Sequence, residues 1–169
     1  MSGPTPSQTI GPFFIDGMRW AIDPADRALA PGTVRVTGRV LDVEGKGAGD
    51  ALLEIWQPTA SPAAGAGQKL AAFQRVAADD EGSFSFRMPT PATIQVSAHV
   101  TIFTRGLLRH LFTRVHLGPG GDPALVAVPP QVPPERRATL IGLRSATIPD
   151  TFEWNIRLRG EAETVFFAL

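Results

Sequence analysis

Three histidines and one arginine are the side chains whose types and positions could support chemistry in this sequence. His99, His110 and His116 are the groups able to exchange protons or bind metals near neutral pH. An even spacing would put His110 and His116 on one face of a strand, about 20 Å apart at roughly 3.3 Å per residue. That distance is too long for a shared metal ion. Arg105 lies in a segment where a strand is predicted to end, a place from which a guanidinium can bind a carboxylate.

Other common catalytic arrangements are not supported. The chain has no Cys, which excludes disulfides, zinc–thiolate sites and cysteine nucleophiles. No G-x-S-x-G pattern occurs, so a serine hydrolase is disfavoured. The glycines of 45–49 and 118–121 lack the Lys and the helix of a phosphate-binding loop, and we expect turns there. With 10 Phe and 3 Trp but no Tyr, the chain also offers no phenolate.

Charge and hydropathy argue against nucleic-acid and membrane partners. The 16 Lys and Arg residues balance the 16 Asp and Glu residues, without the basic excess typical of nucleic-acid binding. No apolar stretch approaches the roughly 20 residues that span a bilayer. Residues 1–8 do not resemble a secretory signal, so we expect a cytoplasmic protein.

Short apolar stretches separated by Gly and Pro predict an all-β protein. No strand is regularly followed by a helix, which favours a two-sheet antiparallel β-sandwich over a parallel sheet. Phe84 and Phe86 are expected in the core, Trp56 taken alone is best explained as core, and Ile94 is assigned to a buried face opposite that of His99. The predicted strands are 33–41, 51–57, 83–88, 93–103, 109–117 and 152–158.

One short helix is predicted near 134–142. Pro134 suits its first turn, Glu135 suits the positive end, and Leu140 and Leu143 are spaced three apart. Residues 33–169 are expected to form the sandwich and residues 1–32 an N-terminal arm. The Ala-, Gly- and Pro-rich stretch 58–67 is expected to be a loop.

Several segments, in order along the chain, resemble the intradiol ring-cleaving dioxygenases, and in particular the α chain of members built from two homologous chains. No single segment is decisive, and their order and spacing carry the resemblance. The segments are 5–13 (TPSQTIGPF), 53–57 (LEIWQ), 103–106 (FTRG), 110–114 (HLFTR), 136–141 (RRATLI) and 159–167 (RGEAETVFF).

The resemblance implies that iron lies in a partner chain. In such enzymes the β chain holds a non-haem Fe(III) ion with two Tyr and two His. Here there is no Tyr, and the His-x-His pattern of the β chain is replaced by Ser97-Ala98-His99. We therefore interpret His99 as a vestigial histidine and expect no metal in this chain, since one imidazole without convergent partners binds metal poorly.

The resemblance also implies which residues line the substrate pocket, at the interface with the β chain. They are Thr9, Ile10, Gly11 and Pro12 in the arm, and Arg105. The expected reaction is cleavage of protocatechuate by O₂ between its hydroxyls, giving 3-carboxy-cis,cis-muconate. No catalytic residue is assigned to this chain alone, and a higher αβ oligomer is expected, with apolar contacts from Phe13, Phe166 and Phe167.

Two other functions are retained as alternatives. One is a stand-alone β-sandwich binding or carrier module without catalytic activity, which would be monodisperse when expressed by itself. The other is an active homomeric dioxygenase, against which the missing Tyr counts. Iron content and colour of the single chain would distinguish them.

Overall fold

The computed structural model describes residues 14–24, 28–58 and 73–168, so half of the arm and most of the stretch 58–67 lie outside it. A short helix, α1 (Phe14–Met18), precedes nine strands. The strands are β1 (Thr33–Leu41), β2 (Leu52–Trp56), β3 (Phe73–Ala77), β4 (Ser83–Pro89), β5 (Val96–Phe103), β6 (Leu111–Leu117), β7 (Leu143–Arg144), β8 (Thr151–Glu153) and β9 (Ile156–Arg157).

The strands form two sheets that pack face to face. The first has the order β4-β1-β8-β7, with β9 also pairing with β1, and the second has the order β3-β2-β5-β6. Pairing is antiparallel throughout the second sheet, whereas β8 and β9 run parallel to β1 in the first. The predicted two-sheet β-sandwich is therefore confirmed.

The core lies between the sheets, where period-two alternation turns every second side chain inward. In β5 the inward residues are Val96, Ala98, Val100 and Ile102, each at most 7% exposed. Phe84 and Phe86 of β4 are buried and stack with ring centroids 6.0 Å apart, as expected. The outward face of β5 carries Ser97, His99 and Thr101, so the alternation decides which side chains are available for chemistry.

The predicted short helix is present as a 3₁₀ helix, Pro134–Leu140. Pro134 and Glu135 occupy its first turn, and Leu140 is fully buried. Leu143 does not share that buried face, because it lies beyond the helix in β7 and is 53% exposed. In the described part of the chain, no helix has the length and apolar character needed to cross a bilayer.

Two strands are shorter than predicted. β5 begins at Val96, which pairs with the last residue of β6, Leu117, so Ile94 has no strand beside it. Ile94 is 69% exposed, and its assignment to the buried face was wrong. At the other end of this pair, β6 begins at Leu111, which leaves the exposed His110 outside the strand.

The predicted strand 152–158 is split into β8 and β9. The interruption lies opposite Gly38 of β1, where a Cβ atom would lie 1.7 Å from the carbonyl oxygen of Trp154. The side-chain oxygen of Asn155 accepts a hydrogen bond from the Arg39 N–H at 2.9 Å, in the place of a backbone partner. The alternation itself persists, since Phe152, Trp154 and Ile156 are all buried.

Trp56 is not a core residue. It ends β2 on the outward face of the second sheet, directly opposite His99, and is 46% exposed. An exposed tryptophan beside a histidine makes this face chemically distinct from the other, core-packed face of the same sheet.

Candidate functional site

Arg105 lies two residues beyond the end of β5, at the end of the sandwich where β2 begins. Its side chain is 68% exposed. Gly106, next in the chain, has a φ of +88°, a left-handed conformation that glycine adopts without strain. The chain therefore turns after Arg105, and most of the Arg105 side chain is open to solvent.

Asp50 binds this strand end through both carboxylate oxygens. One oxygen accepts a hydrogen bond from the Thr104 hydroxyl at 2.8 Å. The other accepts from the backbone N–H of Arg105 at 3.1 Å and from its Nε at 3.0 Å. Leu52 pairs with Phe103, so continuing the antiparallel register brings Asp50 opposite Arg105. The contact follows from strand pairing.

The carboxylate of Asp50 is stabilised in its charged form. Partial burial raises its pKa, but the hydrogen bonds from Thr104 and Arg105, together with the charge of Arg105, outweigh burial and lower the pKa. Within the described ranges, neither terminal nitrogen of the Arg105 guanidinium has a hydrogen-bond partner. Arg105 therefore has a fixed Nε and an open pair of donors, the arrangement that binds a second carboxylate in a forked geometry.

Thr9, Ile10, Gly11 and Pro12, the other predicted pocket residues, lie outside the described residues. Their placement beside Arg105 stays a prediction. Phe13 also lies outside them. Phe166 packs partly buried against the core, and the Phe167 ring lies 6.3 Å from that of Phe112.

His99 lies on the outward face of the second sheet, between Trp56 on β2 and Arg114 on β6. Its ring meets the edge of the Phe112 ring at a centroid distance of 5.4 Å. Burial first, and the positive charge of Arg114 second, lower the pKa of His99. Both effects favour the neutral form of His99 over its charged form.

Ser97, where a first iron ligand would be needed, is hydrogen-bonded to another histidine. Its hydroxyl oxygen lies 2.7 Å from Nδ1 of His116, and the amide nitrogen of Gln95 lies 3.0 Å from the same atom. With Nδ1 accepting from Gln95, the ring proton is on Nε2, which is buried and has no partner among the described residues. Burial, then the charges of Arg114 and His99, lowers the pKa of His116 to about 4.

These residues do not fit a ferric ion. Among the described residues, no three His, Cys, Asp or Glu side chains lie close enough to hold a metal. The sequence has no Tyr, and the guanidinium of Arg114 repels a cation from His99. His110 does not join them, because it lies in a surface pocket with Arg109 and Phe112, its ring 5.8 Å from that of Phe103.

Asp50 and Arg114 are residues of the candidate site that sequence reasoning missed. Asp50 follows a glycine-rich turn and precedes a strand, a position that by itself indicates a solvated turn residue. Its partner, Arg105, is 55 residues away in the sequence. Only the correct pairing register of β2 with β5 would have predicted this contact. Arg114 is one of the polar residues that alternate with apolar ones in β6, and this pattern by itself indicates only a solvent-facing side chain.

Comparisons with known proteins identify relatives that align with nearly the whole chain. No family model matches the sequence. The chain is 32% identical to the protocatechuate 3,4-dioxygenase alpha chain of Burkholderia cepacia over a 193-residue alignment covering 96% of each chain. It is 30% identical to the alpha chain of the same name from Pseudomonas putida, over 96% of this chain and 95% of the relative.

Two solved structures that share this fold are named as dioxygenases. The dioxygenase domain of a carbohydrate-binding fusion protein from Streptomyces sp. SirexAA-E matches with a TM-score of 0.53 and 22% identity, over 94% of this chain and 99% of that one. Hydroxyquinol 1,2-dioxygenase from Pseudomonas putida DLL-E4 matches with a TM-score of 0.52 and 20% identity; 90% of this chain aligns, over 65% of that longer chain. The curated relatives carry the assignment: the chain belongs to the family of the protocatechuate 3,4-dioxygenase alpha chains.

Proposed function

We propose that this chain is the iron-free α subunit of an intradiol dioxygenase that cleaves protocatechuate with O₂, giving 3-carboxy-cis,cis-muconate. The names of its two curated relatives, each aligned over 96% of the chain, support the assignment. The lack of Tyr, and the hydrogen bond that occupies Ser97 and His116, support the assignment of the metal to another chain. The Fe(III) ion and the ring cleavage belong to a homologous β subunit.

The geometry of Arg105 is the observation that carries the proposal. Protocatechuate bears a carboxylate on the side of the ring opposite its two hydroxyls. When the hydroxyls face the iron of the partner, the carboxylate points away and needs a donor. Arg105 supplies two terminal nitrogens, and a charge-assisted hydrogen bond of this kind contributes roughly 1.5 to 3 kcal/mol.

The arm completes the proposed pocket. Thr9, Ile10, Gly11 and Pro12 would form its second wall, because Gly11 adds no side chain and Pro12 restricts the backbone, so that this segment can lie close to a flat ring. Residues 1–32 would therefore act as an interface element separate from the sandwich of residues 33–169. No residue of this chain takes part in bond breaking in this scheme.

The first test separates the two chains. The chain is expressed alone and with the homologous β chain, and iron content and protocatechuate-dependent oxygen uptake are measured for each preparation. The proposal requires that the pair alone binds iron and consumes oxygen. Iron and oxygen uptake in the single chain would overturn it, and a monodisperse, inert single chain that does not associate with a β chain would favour a binding module.

The second test concerns Arg105. In the assembled enzyme, Arg105→Gln should raise KM for protocatechuate roughly 10- to 150-fold, the factor that corresponds to the loss of one charge-assisted hydrogen bond. KM for catechol, which has no carboxylate, should not change. Arg144→Gln is a matched control, since Arg144 is also exposed but contacts Gly120, beyond the opposite end of the β5 and β6 pair. Equal effects on both substrates would contradict the role of Arg105.

A further inference from the structure

In the contact between Asp50 and Arg105, Asp50 is the more firmly held of the two side chains. The side chain of Asp50 is 26% exposed, whereas that of Arg105 is 68% exposed. Asp50 is anchored by the hydroxyl of Thr104, a residue that is only 4% exposed, and by a backbone N–H. Arg105, apart from its Nε, extends into solvent. The buried strand end therefore fixes Asp50, and Asp50 fixes the guanidinium.

The atom that Asp50 binds determines which donors remain. Its oxygen accepts from Nε, the nitrogen nearest the aliphatic stem. A planar guanidinium held at Nε can rotate little about its last side-chain torsion, so its two terminal nitrogens keep one orientation. A flexible arginine would lose rotamer entropy on binding a carboxylate, whereas one already restrained loses less.

We propose that Asp50 is a positioning residue that orients the Arg105 fork toward a ring carboxylate and thereby sets the preference for carboxylated catechols. This inference rests on the proposed function, because it presupposes that Arg105 faces the substrate. Asp50 touches neither substrate nor iron in this scheme. Its negative charge also disfavours a carboxylate that approaches from the Nε side, so the preference is for one bound geometry.

The test compares Asp50→Asn with Arg105→Gln in the assembled α/β enzyme, with protocatechuate and catechol as substrates. Asp50→Asn keeps the shape and one acceptor for Thr104 but weakens the hold on Nε. We expect KM for protocatechuate to rise roughly tenfold, within the range over which contacting residues couple. The kcat for protocatechuate and both constants for catechol should stay within about twofold of the unsubstituted enzyme, because the reacting atoms are not touched.

A double variant distinguishes positioning from general support of the fold. In an Arg105→Gln background, Asp50→Asn should have no further effect on KM, since the group that it orients is absent. Thr104→Val serves as a second variant: it keeps the charge of Asp50 but removes one of its two anchors, and should raise KM for protocatechuate less than Asp50→Asn does.

The outcomes separate the two hypotheses. If Arg105→Gln leaves KM for protocatechuate unchanged, the pocket role of Arg105 in the proposed function fails. If Arg105→Gln raises that KM but Asp50→Asn leaves it unchanged, or raises KM for both substrates equally, the positioning role of Asp50 alone is overturned. An additive double variant would overturn it as well.

Discussion

The hydroxyl oxygen of Ser97 lies 2.7 Å from Nδ1 of His116, across the paired strands β5 and β6. This contact occupies two side chains that could otherwise be metal ligands, and it places an imidazole in a site that is 5% exposed. A buried imidazole resists protonation, because its charged form loses hydration and faces the nearby guanidinium of Arg114. The pair is therefore expected to make the stability of the protein depend on pH.

The stability of the folded chain should fall between pH 6.5 and pH 4. The pKa of His116 is lowered to about 4 in the folded protein, whereas in an unfolded chain a histidine has a pKa of about 6.5. Between those values the unfolded state binds a proton that the folded state does not, so the free energy of unfolding decreases as the pH falls from 6.5 to 4, by up to about 3 kcal/mol. Denaturant unfolding at several pH values, compared with His116→Gln, measures this. An equally steep decrease in His116→Gln would assign the effect to other groups.

Removing the charge of Arg114 should raise the pKa values of both His99 and His116, since Arg114 lowers each of them. Its guanidinium carbon lies 4.9 Å from the ring centroid of Phe167, so Arg114→Met keeps much of the packing. Histidine titrations followed by NMR would show the two shifts. Arg144→Met is the control, because Arg144 stacks on Phe152 instead. Unchanged titrations in Arg114→Met would mean that Arg114 does not lower these pKa values.

Gly38→Ala should destabilise the sandwich by at least about 2 kcal/mol, as expected for overpacking against a backbone atom. A Cβ atom at Gly38 would lie 1.7 Å from the carbonyl oxygen of Trp154, so β1 and the segment joining β8 to β9 would have to separate. Thermal unfolding of the variant measures the loss. Gly17→Ala provides the comparison, since a Cβ atom at Gly17 meets nothing within 4 Å. Similar melting temperatures for the two variants would contradict the steric argument.

Trp154→Phe should cost about 1 to 3 kcal/mol, the usual range when a buried acceptor loses its donor. The indole Nε1 of Trp154 donates to the carbonyl of Thr139 at 2.9 Å, which joins the first sheet to the 3₁₀ helix. Trp20→Phe removes a similar bond, to the carbonyl of Gly17, from a side chain that is 84% exposed, and should cost little. Chemical denaturation compares the two. A loss in Trp20→Phe as large as in Trp154→Phe would show that burial is not the cause.

Much of the fold could be predicted from local pattern, since the side-chain period of two reports which residues share a face. Phe84, Phe86, Val100 and Phe152 are buried as that period requires. The errors occur at strand ends and on the outer face. Ile94 continues the pattern but lies beyond its neighbouring strand, and Trp56 is apolar but faces outward at the end of β2.

The sequence by itself determined which chemistry is impossible, because a chain without Tyr or Cys cannot supply phenolate or thiolate ligands in any fold. Only the tertiary structure decided the contacts of the candidate site. Asp50 meets Arg105, 55 residues away, and Ser97 meets His116, 19 residues away. Periodicity gives the face on which a side chain lies, but the side chain opposite depends on strand order and register. Those are set by packing of the whole core, to which segments far apart in the chain contribute together.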